Sequence, residues 1–337
     1  MPHSLDTWTP RRAAVIGAGA MGASLAAVLG QSLHVVIVAR EAHRAEAIRT
    51  HGVEIRGIAS TRAHPTVVRS IAHLPTAGAL DAVFVATKTW SIDQVSEELR
   101  PIIGSLGVPG EPPFIVSFQN GIEPARRLIE QLHMPRVLRM VLNYGARLAS
   151  DGTVELVFSH PPHYVGCLDP AFRPVCHAIA RVLSAGGMEA VDVDDIEPLV
   201  WTKGILNAAM NPVAALLNCS VGEVLDSPAR AIVGRLLDEG LCVAQAECID
   251  LGPDARARMR AALEEARPHT PSMVEDIREG RPSEVGQLNR QIIAHAARVG
   301  VPTPDHQLVT DLIDAFDWRV FRRTNSPDLN PIREARC

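Results

Sequence analysis

The sequence predicts an α/β fold, a parallel sheet wound on both faces, followed by an all-helical second domain. Three observations predict it. Short β-branched runs alternate with helical stretches through the first half, a glycine-rich turn follows the first run, and beyond residue 195 almost only helical patterns recur. Strand–helix alternation builds a parallel sheet covered by helices, because crossovers between parallel strands lay helices on its faces.

The elements follow in order. Arg12 to Ile16 is an apolar run that ends in glycines, and Met21 to Leu29 has helical composition. His34 to Ala39 is a second strand and Glu41 to His51 a polar helix. Val53 to Ile58 and Thr66 to Ser70 read as a pair of strands. Asp81 to Ala86, Pro113 to Phe118 and Val137 to Leu142 read as buried strands. Thr153 to Phe158 and His163 to Gly166 read as a hairpin. A helix from Arg173 to Ser184 and a strand from Met188 to Val193 complete this domain. In the second half, Ser227 caps a helix that runs to about Ile249, with Pro228 at its first position. Asp254 to Ala266, Pro271 to Glu279, Glu284 to Val299 and Asp305 to Arg322 follow, and Gly280 and Gly300 stop two of them. The expected division is a strand–helix domain over 1–194, a helical domain over 195–324, and a loose tail over 325–337.

Composition narrows the function. With 47% hydrophobic and 21% charged residues the chain is that of an ordinary globular protein, and its 337 residues suffice for two domains. A net charge of -5 gives no reason to expect nucleic acid or an anionic membrane as partner. No run of about 18 apolar residues exists, and Met1 to Pro10 lacks a basic-then-apolar signal, so a cytoplasmic protein is expected. The six cysteines form no CxxC pair and read as reduced, mostly buried thiols, and the histidines show no metal-ligand spacing, so no metal is expected.

The turn Gly17-Ala18-Gly19-Ala20-Met21-Gly22 follows a strand and opens a helix. That is the context a dinucleotide fingerprint requires: the turn, the approach of a pyrophosphate to the backbone, and helix–strand packing each need a glycine. The second strand ends in Val38-Ala39-Arg40, where NAD-binding chains carry an acidic residue. A guanidinium there pairs with a 2′-phosphate, so NADPH is expected over NADH, with Glu41 able to blur the preference. Two more loops leave strand ends, Ala86-Thr87-Lys88-Thr89 and Gln119-Asn120-Gly121. Asn120 either holds the nicotinamide ribose or fixes a turn with Gly121.

Of the 33 lysines and arginines, only Lys88 and Lys203 are lysines. An ammonium is a compact point donor that can transfer a proton, whereas a guanidinium stays charged. Lys203, Asn207 and Asn211 are four residues apart and stack on one helix face, which suits binding and protonating a small oxygenated substrate. Pro212 leaves an alternative open, with Asn211 capping a new helix. Ser272 and Glu284 also stand at helix starts, where capping or the helix dipole would account for them.

Taken in order, the glycine-rich turn, Lys88, Gln119-Asn120-Gly121, Lys203-x3-Asn207-x3-Asn211-Pro212 and Ser272-Met273…Arg281-x-Ser283-Glu284 resemble the ketopantoate reductase family, from about Arg12 to Arg322. The resemblance implies a Rossmann domain followed by a helical domain of the 6-phosphogluconate-dehydrogenase-like kind, with the active site in the cleft between them. It implies reduction of 2-dehydropantoate to pantoate with NADPH, on the route to pantothenate and coenzyme A. By the same resemblance Lys203 is the catalytic lysine that hydrogen-bonds the keto oxygen and supplies the proton. Glu284 is the second catalytic position, a carboxylate that binds and orients the hydroxyl end of the substrate, and it also borders the cofactor. Asn207, Asn211, Ser272 and Asn120 are substrate-binding positions. Gly17 to Gly22 (with Ala18, Gly19, Ala20 and Met21), Arg40, Lys88 and Asn120 are cofactor-binding positions. The chain departs from the family at Asn143 to Arg147, at Pro271 and at Gly286, which bears on which 2-oxo acid is the substrate. The alternatives are a related dehydrogenase of another 2-oxo acid, including an opine-type enzyme, and a non-catalytic NADPH sensor. The long helices after Ser227 leave room for a homodimer.

Overall fold

The computed structural model describes residues 5–58 and 60–325, with side chains described to residue 319. The described residues form two compact units, one of residues 5–119 and 123–196, the other of residues 120–122 and 197–325. Most of the expected tail lies outside the described residues.

In the first unit the chain runs β1 (Arg12–Ile16), α1 (Ala20–Leu29), β2 (His34–Val38), α2 (Ala42–His51), β3 (Val53–Gly57), β4 (Thr61–Ala63), β5 (Thr66–Val68) and β6 (Ala82–Val85). It continues with α3 (Ile92–Leu99), α4 (Ile103–Leu106), β7 (Phe114–Ser117), α5 (Pro124–Leu132), β8 (Val137–Val141), β9 (Tyr144–Leu148), β10 (Val154–Ser159) and β11 (His163–Cys167). The unit closes with α6 (Arg173–Ala185) and β12 (Ala190–Asp192). Eight strands make the main sheet in the order β12-β11-β8-β7-β6-β1-β2-β5, and its core strands are parallel. Along β1 the side chains alternate between faces, as the strand period dictates. Ala13 and Val15 join a core with α1 and α6, whereas Ala14 and Ile16 join one with α3 and α5. The sheet is therefore doubly wound, and its topological switch point lies at β1, with β2 on one side and β6 on the other.

A second, four-stranded sheet has the order β4-β3-β10-β9 and packs on α1. Two expected strand pairs are corrected here. β3 and β5 do not pair: β3 pairs with β4, and β5 joins the main sheet beside β2. β10 and β11 do not form a hairpin: β10 pairs with β9 and β3, while β11 lies antiparallel to β8. Proline explains both crossings. Pro65 and the Pro161-Pro162 pair have no N–H to continue a ladder, so the chain leaves one sheet there and enters the other.

The second unit is helical: α7 (Glu197–Leu217), α8 (Val221–Asp226), α9 (Arg230–Ala246), α10 (Ala255–Glu265), α11 (Ser272–Arg278), α12 (Asn289–Val299) and α13 (Pro304–Asn325). α7 packs against α9, α11, α12 and α13. α9 starts three residues after Ser227, whose hydroxyl accepts from the Ala229 N–H at 3.2 Å in the preceding turn. α8 is closed by a reciprocal cap, the Ser220 side chain bonding the Glu223 N–H and Glu223 bonding the Ser220 N–H. The expected helix from Glu284 to Val299 is broken. Val285–Gln287 is a 3-10 turn, and Leu288, at φ −112° and ψ −82°, separates it from α12. No helix among the described residues is long and apolar enough to cross a membrane.

Candidate active site

Strand register sets where the loops of the first unit emerge. Ile16 pairs with Val38 and with Val85, and Val85 pairs with Ser117. The chain therefore leaves the sheet at one level after β1, β2, β6 and β7, the carboxyl edge where open α/β sheets bind ligands. Gly17 opens the first loop at φ +113°, and a Cβ there would stand 3.0 Å from the Ala86 carbonyl oxygen. A Cβ on Gly22 would meet the Gly17 carbonyl and, at 2.9 Å, the Ala86 methyl. Gly19 differs: nothing lies within 4 Å of where its Cβ would be. The loop is thus packed tight beneath and open above at the N-terminus of α1, and it fits a dinucleotide pyrophosphate. Ala18, Ala20 and Met21 complete the turn, each half-buried. Lys88, also half-buried, begins the 3-10 turn Thr89–Ser91, and its carbonyl accepts from the Ser91 hydroxyl at 2.8 Å.

Arg44 of α2 escapes sequence reasoning, because a basic residue on a polar helix reads as solvated. Its side chain is buried (7% exposed), its Nε donates to the Ala18 carbonyl at 3.0 Å and its Nη1 to the Gly152 carbonyl at 2.7 Å. The guanidinium ties the glycine-rich turn to the β9–β10 turn. Burial lowers its pKa, opposed by the nearby Glu41 carboxylate, and its Nη2 has no hydrogen-bond partner.

At the end of β2, Arg40 is exposed and its Nη2 donates to Glu98 Oε1 at 2.8 Å. Both partners are well solvated, 43% and 33% exposed, so the pair is worth about 0–1 kcal/mol. Arg69 donates to the Arg40 carbonyl from Nε at 3.0 Å and Nη2 at 2.7 Å.

In the second unit, α7 carries Lys203, Asn207 and Asn211 on one stripe, the first two half-buried and Asn211 buried. α7 runs unbroken through Pro212, so Asn211 does not cap a new helix. Proline 212 cannot donate to the carbonyl four residues back, that of Ala208. Asn289, fully buried, supplies the missing bond: its Nδ2 donates to the Ala208 oxygen at 2.9 Å. Ser272 is the half-buried first residue of α11, and Pro271 holds the cap position, with no side-chain cap bond.

Glu284 is 4% exposed, and its Oε2 accepts from Asn120 Nδ2 at 3.1 Å. Residues 120–122 belong to this helical unit although they follow β7 in the chain. Gln291 Oε1 accepts the Ile122 N–H at 2.6 Å, and a Cβ on Gly121, at φ +103°, would collide with the Gln287 carbonyl. The Asn-Gly pair is therefore a turn and an Asn120 side-chain contact at once. Next to Glu284, the Ser283 hydroxyl donates to Asp317 Oδ2 at 2.6 Å, and burial raises the pKa of Asp317.

Two departures from the family pattern fall in different settings. Tyr144 is buried, its hydroxyl 2.8 Å from Ser24 Oγ, and burial pushes its pKa up to about 12, so it is packing rather than an acid. Gly286 has nothing within 4 Å of a Cβ position, which leaves space two residues from Glu284. A cavity of about 300 Å³ lined by Ser24, Gln31, Tyr144, Ser159 and His163 contains none of the expected site residues. Of the cysteines, Cys167 and Cys176 are buried, but Cys242, on the outer face of α9, and Cys248, past its end, are exposed.

Residues 13–170 match the family described as Ketopantoate reductase PanE/ApbA, and residues 195–317 match Ketopantoate reductase PanE/ApbA C terminal. A 2-dehydropantoate 2-reductase of Archaeoglobus fulgidus is 28% identical over 307 residues, 90% of this chain and 97% of that protein. The PanE/ApbA family ketopantoate reductase from Ralstonia eutropha JMP134 has a similar structure, with a TM-score of 0.81 at 21% identity over 92% of this chain and 99% of that one. D-mandelate dehydrogenase, in a ternary structure with NADH and anilino(oxo)acetate, gives a TM-score of 0.81 at 23% identity over the same shares of the two chains. With these family matches, the doubly wound sheet with a glycine-rich turn at its switch point, continued by a helical unit, is that of an oxidoreductase. The chain belongs to the ketopantoate reductase family.

Proposed function

We propose that the protein reduces 2-dehydropantoate to pantoate with NADPH. Gly17, Gly19 and Gly22 would hold the pyrophosphate of NADPH, and the bound cofactor would supply a hydride to the keto carbon. Addition to that carbon builds negative charge on its oxygen, and a donor aimed there lowers the barrier. Lys203 fills this role: its ammonium donates a hydrogen bond to the oxygen and then the proton that completes the alcohol. Asn207 and Asn211 donate to further substrate oxygens without adding charge, and Ser272 offers a hydroxyl. Glu284 accepts from the substrate hydroxyl while Asn120 fixes its carboxylate. Arg40 and Lys88 serve the cofactor.

One observation carries this reading. α7 stays helical through Pro212, so the lysine and both asparagines share one stripe, and the family match over residues 195–317 includes the whole of it. The test is purified protein with NADPH and 2-dehydropantoate, followed by absorbance and by identification of the product. Pantoate formation is expected, and absence of turnover would reject the reading. A second reading has its own observation: Gly286 carries no side chain two residues past Glu284, which favours a different, larger 2-oxo acid. A substrate panel decides between them, since faster turnover of a larger 2-oxo acid would displace 2-dehydropantoate.

A further inference from the structure

We propose that Arg69 is a second guanidinium of the 2′-phosphate site and that Glu98 is the internal carboxylate which that phosphate displaces. Together they set how strongly NADPH is preferred over NADH. This rests on the NADPH reading above and adds two residues to it.

Arg69 follows β5, which pairs with β2 through Val38 and Val68, so its backbone leaves the sheet beside Arg40. Its guanidinium is clamped on the Arg40 carbonyl by two bonds, from Nε at 3.0 Å and Nη2 at 2.7 Å, which leaves Nη1 as a further donor. Arg40 spends one bond, from Nη2, on Glu98 Oε1, an oxygen that also accepts from Gln94 Nε2 at 3.1 Å. Two arginines therefore stand at one strand end, Arg40 bonded to the carboxylate of Glu98 and Arg69 bonded to the Arg40 carbonyl. The other carboxylate nearby, Glu41, lies 3.4 Å from His43 Nε2.

A phosphate monoester carries close to two negative charges and three acceptor oxygens, and it suits two guanidinium forks better than one carboxylate does. The Arg40–Glu98 pair is solvated and therefore weak, so a dianion displaces it readily. A ribose hydroxyl carries no charge and leaves the pair in place. Glu98 then handicaps NADPH without affecting NADH, and Arg69 offsets that handicap.

The test measures dissociation constants of NADPH and NADH by nicotinamide fluorescence for the wild type, Arg69→Gln, Arg69→Lys, Glu98→Gln and Arg40→Gln. Arg69→Gln keeps a donor for the Arg40 carbonyl but removes the charge. It should weaken NADPH by about tenfold to a hundredfold, the range of charged hydrogen bonds, and leave NADH within about twofold. Arg69→Lys should fall between this variant and the wild type. Glu98→Gln should tighten NADPH by about twofold to fivefold and leave NADH unchanged. Equal weakening of both nucleotides by Arg69→Gln, or of neither, would overturn the role of Arg69. Weaker NADPH binding by Glu98→Gln would show that Glu98 positions Arg40 and would overturn its role as competitor. If Arg40→Gln shifts the nucleotide ratio and the other variants do not, only this inference fails. If the wild type binds NADH as tightly as NADPH and Arg40→Gln changes neither, the NADPH reading fails with it.

Discussion

At the scale of single residues, the scarcity of lysine has a chemical sense. Thirty-one arginines carry charge elsewhere, and in the proposed reaction Lys203 is the group that gives up a proton. Lys203→Ala should lower kcat by about a hundredfold to ten-thousandfold. Lys203→Arg should not restore it, because a guanidinium holds its proton and is too broad for a point donor. Steady-state kinetics of both variants checks this, and near-normal kcat in either one would remove the lysine from the chemistry. Arg44 supports a different expectation. Its two bonds hold the glycine-rich turn, so Arg44→Met should raise the KM for either nucleotide by about tenfold and leave kcat nearly intact, the loss of about one charged hydrogen bond. A nucleotide-selective effect would contradict a role through the turn.

At the scale of elements, the repair of α7 is the feature most open to test. Asn289→Leu removes the donor that stands in for the proline N–H and leaves both the Ala208 carbonyl and His306 Nδ1 buried without it. A loss of about 1–3 kcal/mol in unfolding free energy is expected, measurable by urea denaturation. A change below about 0.5 kcal/mol would mean that the carbonyl finds another partner. This repair also marks the limit of what the sequence discloses. The strands β1, β2, β6, β7 and β8 were legible because runs such as Val35-Val36-Ile37-Val38 are buried on both faces. The glycine-rich turn was legible because its three glycines answer local demands. Sheet membership was not legible for β3, β5, β10 and β11, since pairing depends on partners distant in sequence. The site divides in the same way. Lys203, Asn207 and Asn211 follow from helical spacing. Asn289, Gln291, Arg44 and Arg69 act through contacts with backbone carbonyls and N–H groups that no spacing announces.

At the scale of the whole molecule, stability should depend on pH through one buried imidazole. His306 donates from Nε2 to the Leu236 carbonyl at 3.0 Å and accepts at Nδ1 from Asn289 Nδ2 at 3.1 Å. Burial pushes its pKa down to about 4 from 6.5. The unfolded chain therefore binds a proton at a pH where the folded chain does not. Stability is fully present above about 6.5 and is lost as pH falls towards 4, by at most about 3 kcal/mol. Urea midpoints measured across that window should fall with pH, and His306→Leu should flatten the slope while lowering stability at neutral pH. A slope unaltered by the substitution would assign the effect to other groups.

The continuity of α7 has a further consequence for how this chain can change. Three side chains mounted on one rod share a single phase, and adding one residue between Gly204 and Asn207 would swing the later two by about 100° about the axis. An insertion there would scatter the three side chains over different faces, so variation in that segment is confined to point replacements.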